Sequence, residues 1–210
     1  MIDVLWKSRS TSPGAFTSIA VTRSELVVTR QKGAITMHLR GPETRPSAAT
    51  VPADAEFFGI QLKLGAYMTP LPPVDFVDQG LLLPGASNRA FWLQGSAWEY
   101  PTFENADVFI ARLIREGLLT HEPIVTRVMD GEPVDVTSRT AERRFARATG
   151  LTQGIIHQIE RARKAAAALE QGTSILDTVE LAGYSDQPHL TRAMTRFIGQ
   201  TPAQILHATR

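Results

Sequence analysis

The chain has 210 residues, 43% of them apolar, and a net charge of +1, enough for one large domain or two small ones. No run of roughly 18 apolar residues exists, so no segment reads as a membrane span, and the start "MIDVLWKSRS" lacks the basic-then-apolar pattern of a secretion signal. The absence of cysteine excludes disulfides, zinc-thiolate sites and thiol nucleophiles, and points to a cytoplasmic protein.

Residues 1–100 are rich in Pro, Gly, Val and Thr. Short, partly alternating runs ("AFTSIAVTRSELVVTR", "GAITMHLR", "EFFGIQLKLGAYM", "VDFVDQGLLLP") are separated by corners such as "SPG", "RQKG" and "TPLPP". This predicts a β-rich N-terminal domain, a small barrel or sandwich, which the pattern alone does not separate. The region holds one histidine, His38, so no metal site is expected, nor any cofactor. Glu56, Asp75 and Asp78 read as solvated turn residues. No Ser-His-Asp set or Gly-rich phosphate loop is present, so the chain is not expected to be an enzyme. "RAFWLQGSAWEYPTFENADVF" gathers two of the three tryptophans, which suit a domain seam, a core plug or a ligand-binding wall.

The texture changes near Tyr100-Pro101, giving domains 1–100 and 101–210. "FENADVFIARLIREGLL" carries Val108, Phe109, Leu113, Ile114 and Leu118 at helical spacing. Further helices are predicted at about 122–130, 138–149, 152–171, 174–182, 186–198 and 202–208. The fold class is therefore α+β, a β-rich half followed by an all-α half. Charge divides the same way. Residues 1–136 hold 12 Lys+Arg against 15 Asp+Glu, net −3, and residues 137–210 hold 10 against 6, net +4. Such asymmetry suggests a nucleic-acid partner for the basic part.

The stretch "SILDTVELAGYSDQPHLTRAMTRFIGQTP" has the plan of a helix-turn-helix. Ser174 can cap a first helix with Ile175, Leu176, Val179 and Leu181-Ala182 as its apolar face. Gly183 permits a left-handed end, and Ser185 or Asp186 caps the second helix. Leu190, Met194 and Phe197 form one apolar stripe, leaving Gln187, His189, Thr191, Arg192, Thr195 and Arg196 on the other side. Arg suits guanine and Gln adenine in the major groove. A solvated amphipathic helix in an ordinary bundle has the same pattern.

Residues Ile175, Ala182, Gly183, Tyr184, Ser185, Asp186, Gln187, Leu190, Arg192, Phe197, Gly199, Thr201 and Pro202 match the second helix-turn-helix of AraC/XylS-type transcription regulators. "SRTAERRFARATGLT" resembles the first reading helix of that family, so the resemblance covers roughly residues 105–210. Departures are Ala141 for a large apolar residue, Glu142 for Gln, Met194 for Phe, and no Pro after Leu151-Thr152. They predict a first unit that packs less tightly or reads fewer bases than the second. The resemblance implies double-stranded DNA as partner, with RNA polymerase, a small-molecule effector and a second copy of the chain as further candidates. The β-rich half is then a sensing domain, a dimerisation domain or both. Rival readings are a protein-interaction module and an uncharacterised enzyme activity in the N-terminal half.

By helical register, Arg139 and Arg143 are expected at bases and Arg144 and Arg147 nearer phosphates, with Phe145 and Ala148 in the core. In the second unit Gln187, His189 and Arg192 are base-edge candidates, and Thr191 and Arg196 suit the backbone. Between the units, "TQGIIHQIERARKAAAALEQG" is Ala-rich and predicts a helix of about 30 Å. That is close to one turn of B-DNA, about 34–36 Å, so one chain could reach two successive major grooves and an asymmetric site. The alternative is a plain bundle strut with Arg161, Arg163 and Lys164 solvated.

Overall fold

The computed structural model describes residues 1–208. It divides into two compact units. The first comprises Met1–Ala15, Arg23–Pro42 and Thr50–Thr152; the second comprises Phe16–Thr22, Glu43–Ala49 and Gln153 onward.

In chain order the strands are β1 (Ile2–Ser10), β2 (Gly14–Ser18), β3 (Glu25–Gln31), β4 (Ala34–Arg40), β5 (Ser47–Val51), β6 (Ala55–Leu62), β7 (Ala66–Met68), β8 (Gly80–Leu83), β9 (Gly85–Ser87), β10 (Ala90–Leu93), β11 (Ser96–Glu99) and β12 (Leu119–His121). The helices are α1 (Ala106–Arg115), α2 (Pro123–Met129), α3 (Ser138–Thr149), α4 (Gln153–Glu170), α5 (Ile175–Leu181), α6 (Gln187–Phe197) and α7 (Pro202–Ala208). The β-rich-then-helical order matches the sequence expectation. The main sheet is five-stranded, in the order β1-β6-β3-β4-β8. Its outer strands stay unjoined to each other, so no barrel closes among the described residues.

The first unit is built on that sheet. Alternate residues Leu26, Val28, Met37, Leu39, Phe58, Ile60 and Leu62 point into one core, as the two-residue period of a strand requires. The β3–β4 hairpin turns at Lys32 and Gly33, both at positive φ (49° and 80°), the geometry a two-residue turn needs. Helix α1 closes the core with Ala106, Phe109, Ile110 and Leu113. The expected face is thus rotated: Val108 and Ile114 are exposed, and Ala106 and Ile110 take their place. Trp98 is the core plug. It packs edge-on to Phe109 at 6.2 Å, with the Arg112 guanidinium 4.1 Å above its ring. Trp92, by contrast, is exposed. "VDFVDQGLLLP" is strand only over β8, because Pro73–Asp75 is a short 3-10 turn. Helices α2 and α3 belong to this same unit.

The second unit is organised around α4. Its buried face is Ile156, Ile159, Ala162, Ala165, Ala166, Ala168 and Leu169, and α5, α6 and α7 pack against the helix. The alanines let neighbouring helices approach closely. Two segments from the first fifty residues complete the unit. The Ala20 N–H donates to the Phe197 carbonyl (2.8 Å), and Arg163 Nη1 donates to the Ala20 carbonyl (3.2 Å). The Thr22 hydroxyl donates to Glu160. Arg163 is therefore engaged rather than solvated.

Candidate nucleic-acid interface

Each half of a helix-turn-helix must end one helix, turn sharply and start the next, and caps do this work. In the second unit the Ser174 hydroxyl oxygen accepts from the Asp177 N–H (3.2 Å) and starts α5. The helix ends at Gly183, φ 67°, where the Tyr184 N–H returns to the Val179 carbonyl (2.9 Å), a left-handed stop that a side chain would strain. Of the two cap candidates for α6, Asp186 is the one that caps, its Oδ1 accepting from the His189 N–H at 2.6 Å. The corner is pinned from α4: the Arg161 guanidinium lies 4.4 Å over the Tyr184 ring and donates to the Gly183 carbonyl (3.4 Å). Burial pushes the Tyr184 phenol above its ordinary pKa, against the opposing pull of Arg161.

The pinned corner fixes which way α6 faces. Leu190, Met194 and Phe197 are buried as expected. At 100° per residue the direction opposite that stripe runs through Pro188, Arg192, Thr195 and Arg196, all exposed, with Gln187 exposed at the helix start. Thr191 and His189 stand on the flanks and are half-buried. His189 turns back into the corner, its Nδ1 3.1 Å from the Ser185 hydroxyl and its ring edge-on to Tyr184 at 5.0 Å. Arg196 folds over the Phe197 ring, 4.7 Å from its centre. Arg192 is the long donor nearest the centre of the outward face.

On α5 the apolar face differs from the expected one. Leu176 and Leu181 are exposed, whereas Thr178 is fully buried, with its hydroxyl donating to the Ser174 carbonyl (2.8 Å).

The first helix-turn-helix follows the same logic with a longer corner. Glu122 caps α2, accepting from the Ile124 N–H (3.2 Å), and Pro123 opens the helix. Arg127 braces the connection through Asp135 (3.1 Å). The Thr137 hydroxyl oxygen accepts from the Thr140 N–H (3.3 Å) to start α3, and Gly150, φ 70°, ends it. Ala141, Phe145, Ala148 and Thr149 are buried. Arg139, Arg143 and Arg147, spaced by four, line the opposite exposed face. Arg144 lies on the flank and forms two parallel hydrogen bonds to Glu122, at 2.7 and 2.8 Å. The sequence reading missed Glu122, although an acidic residue directly before proline at a helix start is a cap signature.

Among the described residues no group of three or more metal-ligating side chains gathers, and no helix is long and apolar enough to cross a membrane. A family model described as a helix-turn-helix domain matches residues 132–208, from just before α3 to the end of α7. No curated protein matches the chain. Residues 132–208 thus carry a helix-turn-helix domain, and such a domain supports DNA binding in transcription regulation.

Proposed function

We propose that the protein is a sequence-specific transcription regulator that places α3 and α6 in successive major grooves of one DNA site. The β-rich half senses a small molecule, pairs with a second copy, or does both. The observation that carries the reading is the outward face of each helix. On α3 it is Arg139, Arg143 and Arg147, and on α6 it is Arg192 with Gln187 and Arg196 beside it. Long planar donors at one-turn spacing suit base edges and phosphates together. Gln187, Arg192, Arg139 and Arg143 are assigned to bases. Arg147, Thr191 and Arg196 are assigned to phosphates, and His189 offers a base edge only its remaining ring nitrogen. Arg144, held by Glu122, orients α3 and reaches a phosphate only if that pair opens.

Helix α4 has 18 residues, about 27 Å, a length that suits two reading helices near one turn of duplex apart. The test is selection of bound duplexes from random and genomic pools with the full chain, followed by footprinting. The expected result is a non-palindromic site with two protected grooves about one turn apart. A pool that shows no enrichment, or a single protected groove, overturns the two-helix reading.

A further inference from the structure

Strand registry brings a charged row to one end of the core face of the main sheet. Arg9 on β1 stands opposite Glu56 on β6, which stands opposite Arg30 on β3. Two residues along on the same face come Lys7, Phe58 and Val28, in the same cross-strand register. These rows and the turn Phe103–Asn105 enclose a cavity of about 570 Å³, lined also by Pro101 and Thr102. That volume lies in the range of small-molecule sites.

The floor is aromatic: Phe58 and Phe103 meet edge to face at 6.0 Å. Of the three cations at the mouth, Lys7 is already matched. It lies 4.5 Å over the Phe103 ring and 3.0 Å from Glu104, whose carboxyl the Lys7 hydrogen bond helps hold down to about 2, so that it stays ionised. Arg9 and Arg30 have Glu56 between them and Asp54 in the adjoining pocket, and neither is ion-paired with Glu56 among the described residues. They flank it from strands two places apart, about 10 Å, within reach of one carboxylate from both sides. The charged side chains that line the cavity thus sum to a net charge of +1, three cations against Glu56 and Glu104, above an apolar floor.

We propose that this cavity binds a small organic acid with an aromatic or aliphatic body, the body against Phe58, Phe103 and Val28 and the carboxylate between Arg9 and Arg30. The proposal rests on the sensing role given to the β-rich half and names the ligand class for it. Two guanidinium groups recognise a carboxylate through charge-assisted hydrogen bonds that a neutral amide cannot replace.

The test titrates the full chain with phenylacetate, phenylpropionate and octanoate, and with phenylacetamide as the neutral twin, by calorimetry and by backbone amide NMR shifts. The acids are expected to bind and to shift amides at Lys7–Arg9, Phe58 and Phe103. The amide is expected to bind roughly tenfold more weakly or worse, the factor that a lost hydrogen bond to a charged group represents. Arg9→Gln with Arg30→Gln should weaken the acids by a similar factor and leave the amide unchanged, whereas Phe103→Ala should weaken both. Equal binding of acid and amide, indifference to the double glutamine variant, or no binding by any acid overturns the proposal. A parallel DNA titration separates it from the sensing role. Acid binding that leaves DNA affinity unchanged keeps the site and removes the sensing, and failure to bind DNA with or without acid removes the regulator reading alone.

Discussion

Arg192 stands near the middle of the exposed face of α6, and Asp186 and Tyr184 fix the helix behind it. Replacing it with alanine should cost about 1–3 kcal/mol for the preferred site and relax selectivity at one or two adjacent positions. Binding to random duplex should change far less; competition titrations against single-base variants read both. A uniform loss across all sequences would move Arg192 to the phosphates. His38 offers a second measurement. On β4 its pKa is lowered, first by burial and then by the Arg40 charge. The unfolded chain therefore takes up this proton at higher pH than the folded one. Its contribution is present above the unfolded value near 6.5 and is lost as pH falls from there toward the lower folded value. Urea unfolding between about pH 7 and pH 5 should show stability dropping with acid, and His38→Gln should flatten that drop.

The helical elements were legible because their ends are written in residue types with one job. Thr137 and Ser174 cap, Gly150 and Gly183 stop, and the helices between them fall within a residue or two of the expected limits. The two stop glycines should nevertheless respond differently to mutation. A Cβ at Gly183 would meet nothing within 4 Å, so Gly183→Ala carries only the left-handed backbone penalty, about 1–2 kcal/mol. At Gly150 the same atom would stand 2.9 Å from Val77 and 3.0 Å from the Pro73 carbonyl, so Gly150→Ala should cost more, by a further 1–3 kcal/mol. Equal midpoint shifts in urea would contradict that packing. Other elements were less readable. Strand β1 alternates poorly, since Trp6 and Leu5 are both half-buried. The β10–β11 hairpin, turning at Gln94-Gly95, read only as an aromatic cluster. β12 is strand because it pairs with β7 from fifty residues earlier, a partner that no local pattern announces. The faces of α1 and α5 shifted for the same reason: tertiary neighbours decide which of several apolar residues is covered. At the interface, the outward arginines were readable from helical period. The Arg144–Glu122 pair and the Arg161–Tyr184 stack were not, because both join residues more than twenty positions apart.

At the scale of the whole molecule, a net charge of +1 hides a basic C-terminal part, and that part sets the salt response. If Arg147 and Arg196, the two arginines assigned to phosphates, make those contacts, the logarithm of affinity should fall with the logarithm of salt at a slope of about −2. A slope near zero would leave no room for the backbone contacts. The hydrogen bonds that Ala20 and Thr22 make within the second unit bear on how the protein can be taken apart. Texture invites a cut near Tyr100, and such a cut would remove Phe16–Thr22 and Glu43–Ala49 with the rest of the β-rich half. The Phe197 carbonyl would lose its donor, and Pro46 and Thr17 would no longer cover the Gly199 bend. A recombinant C-terminal half would then fray at the tail of its own reading helix, and its weak grip on DNA would report the surgery rather than the native affinity.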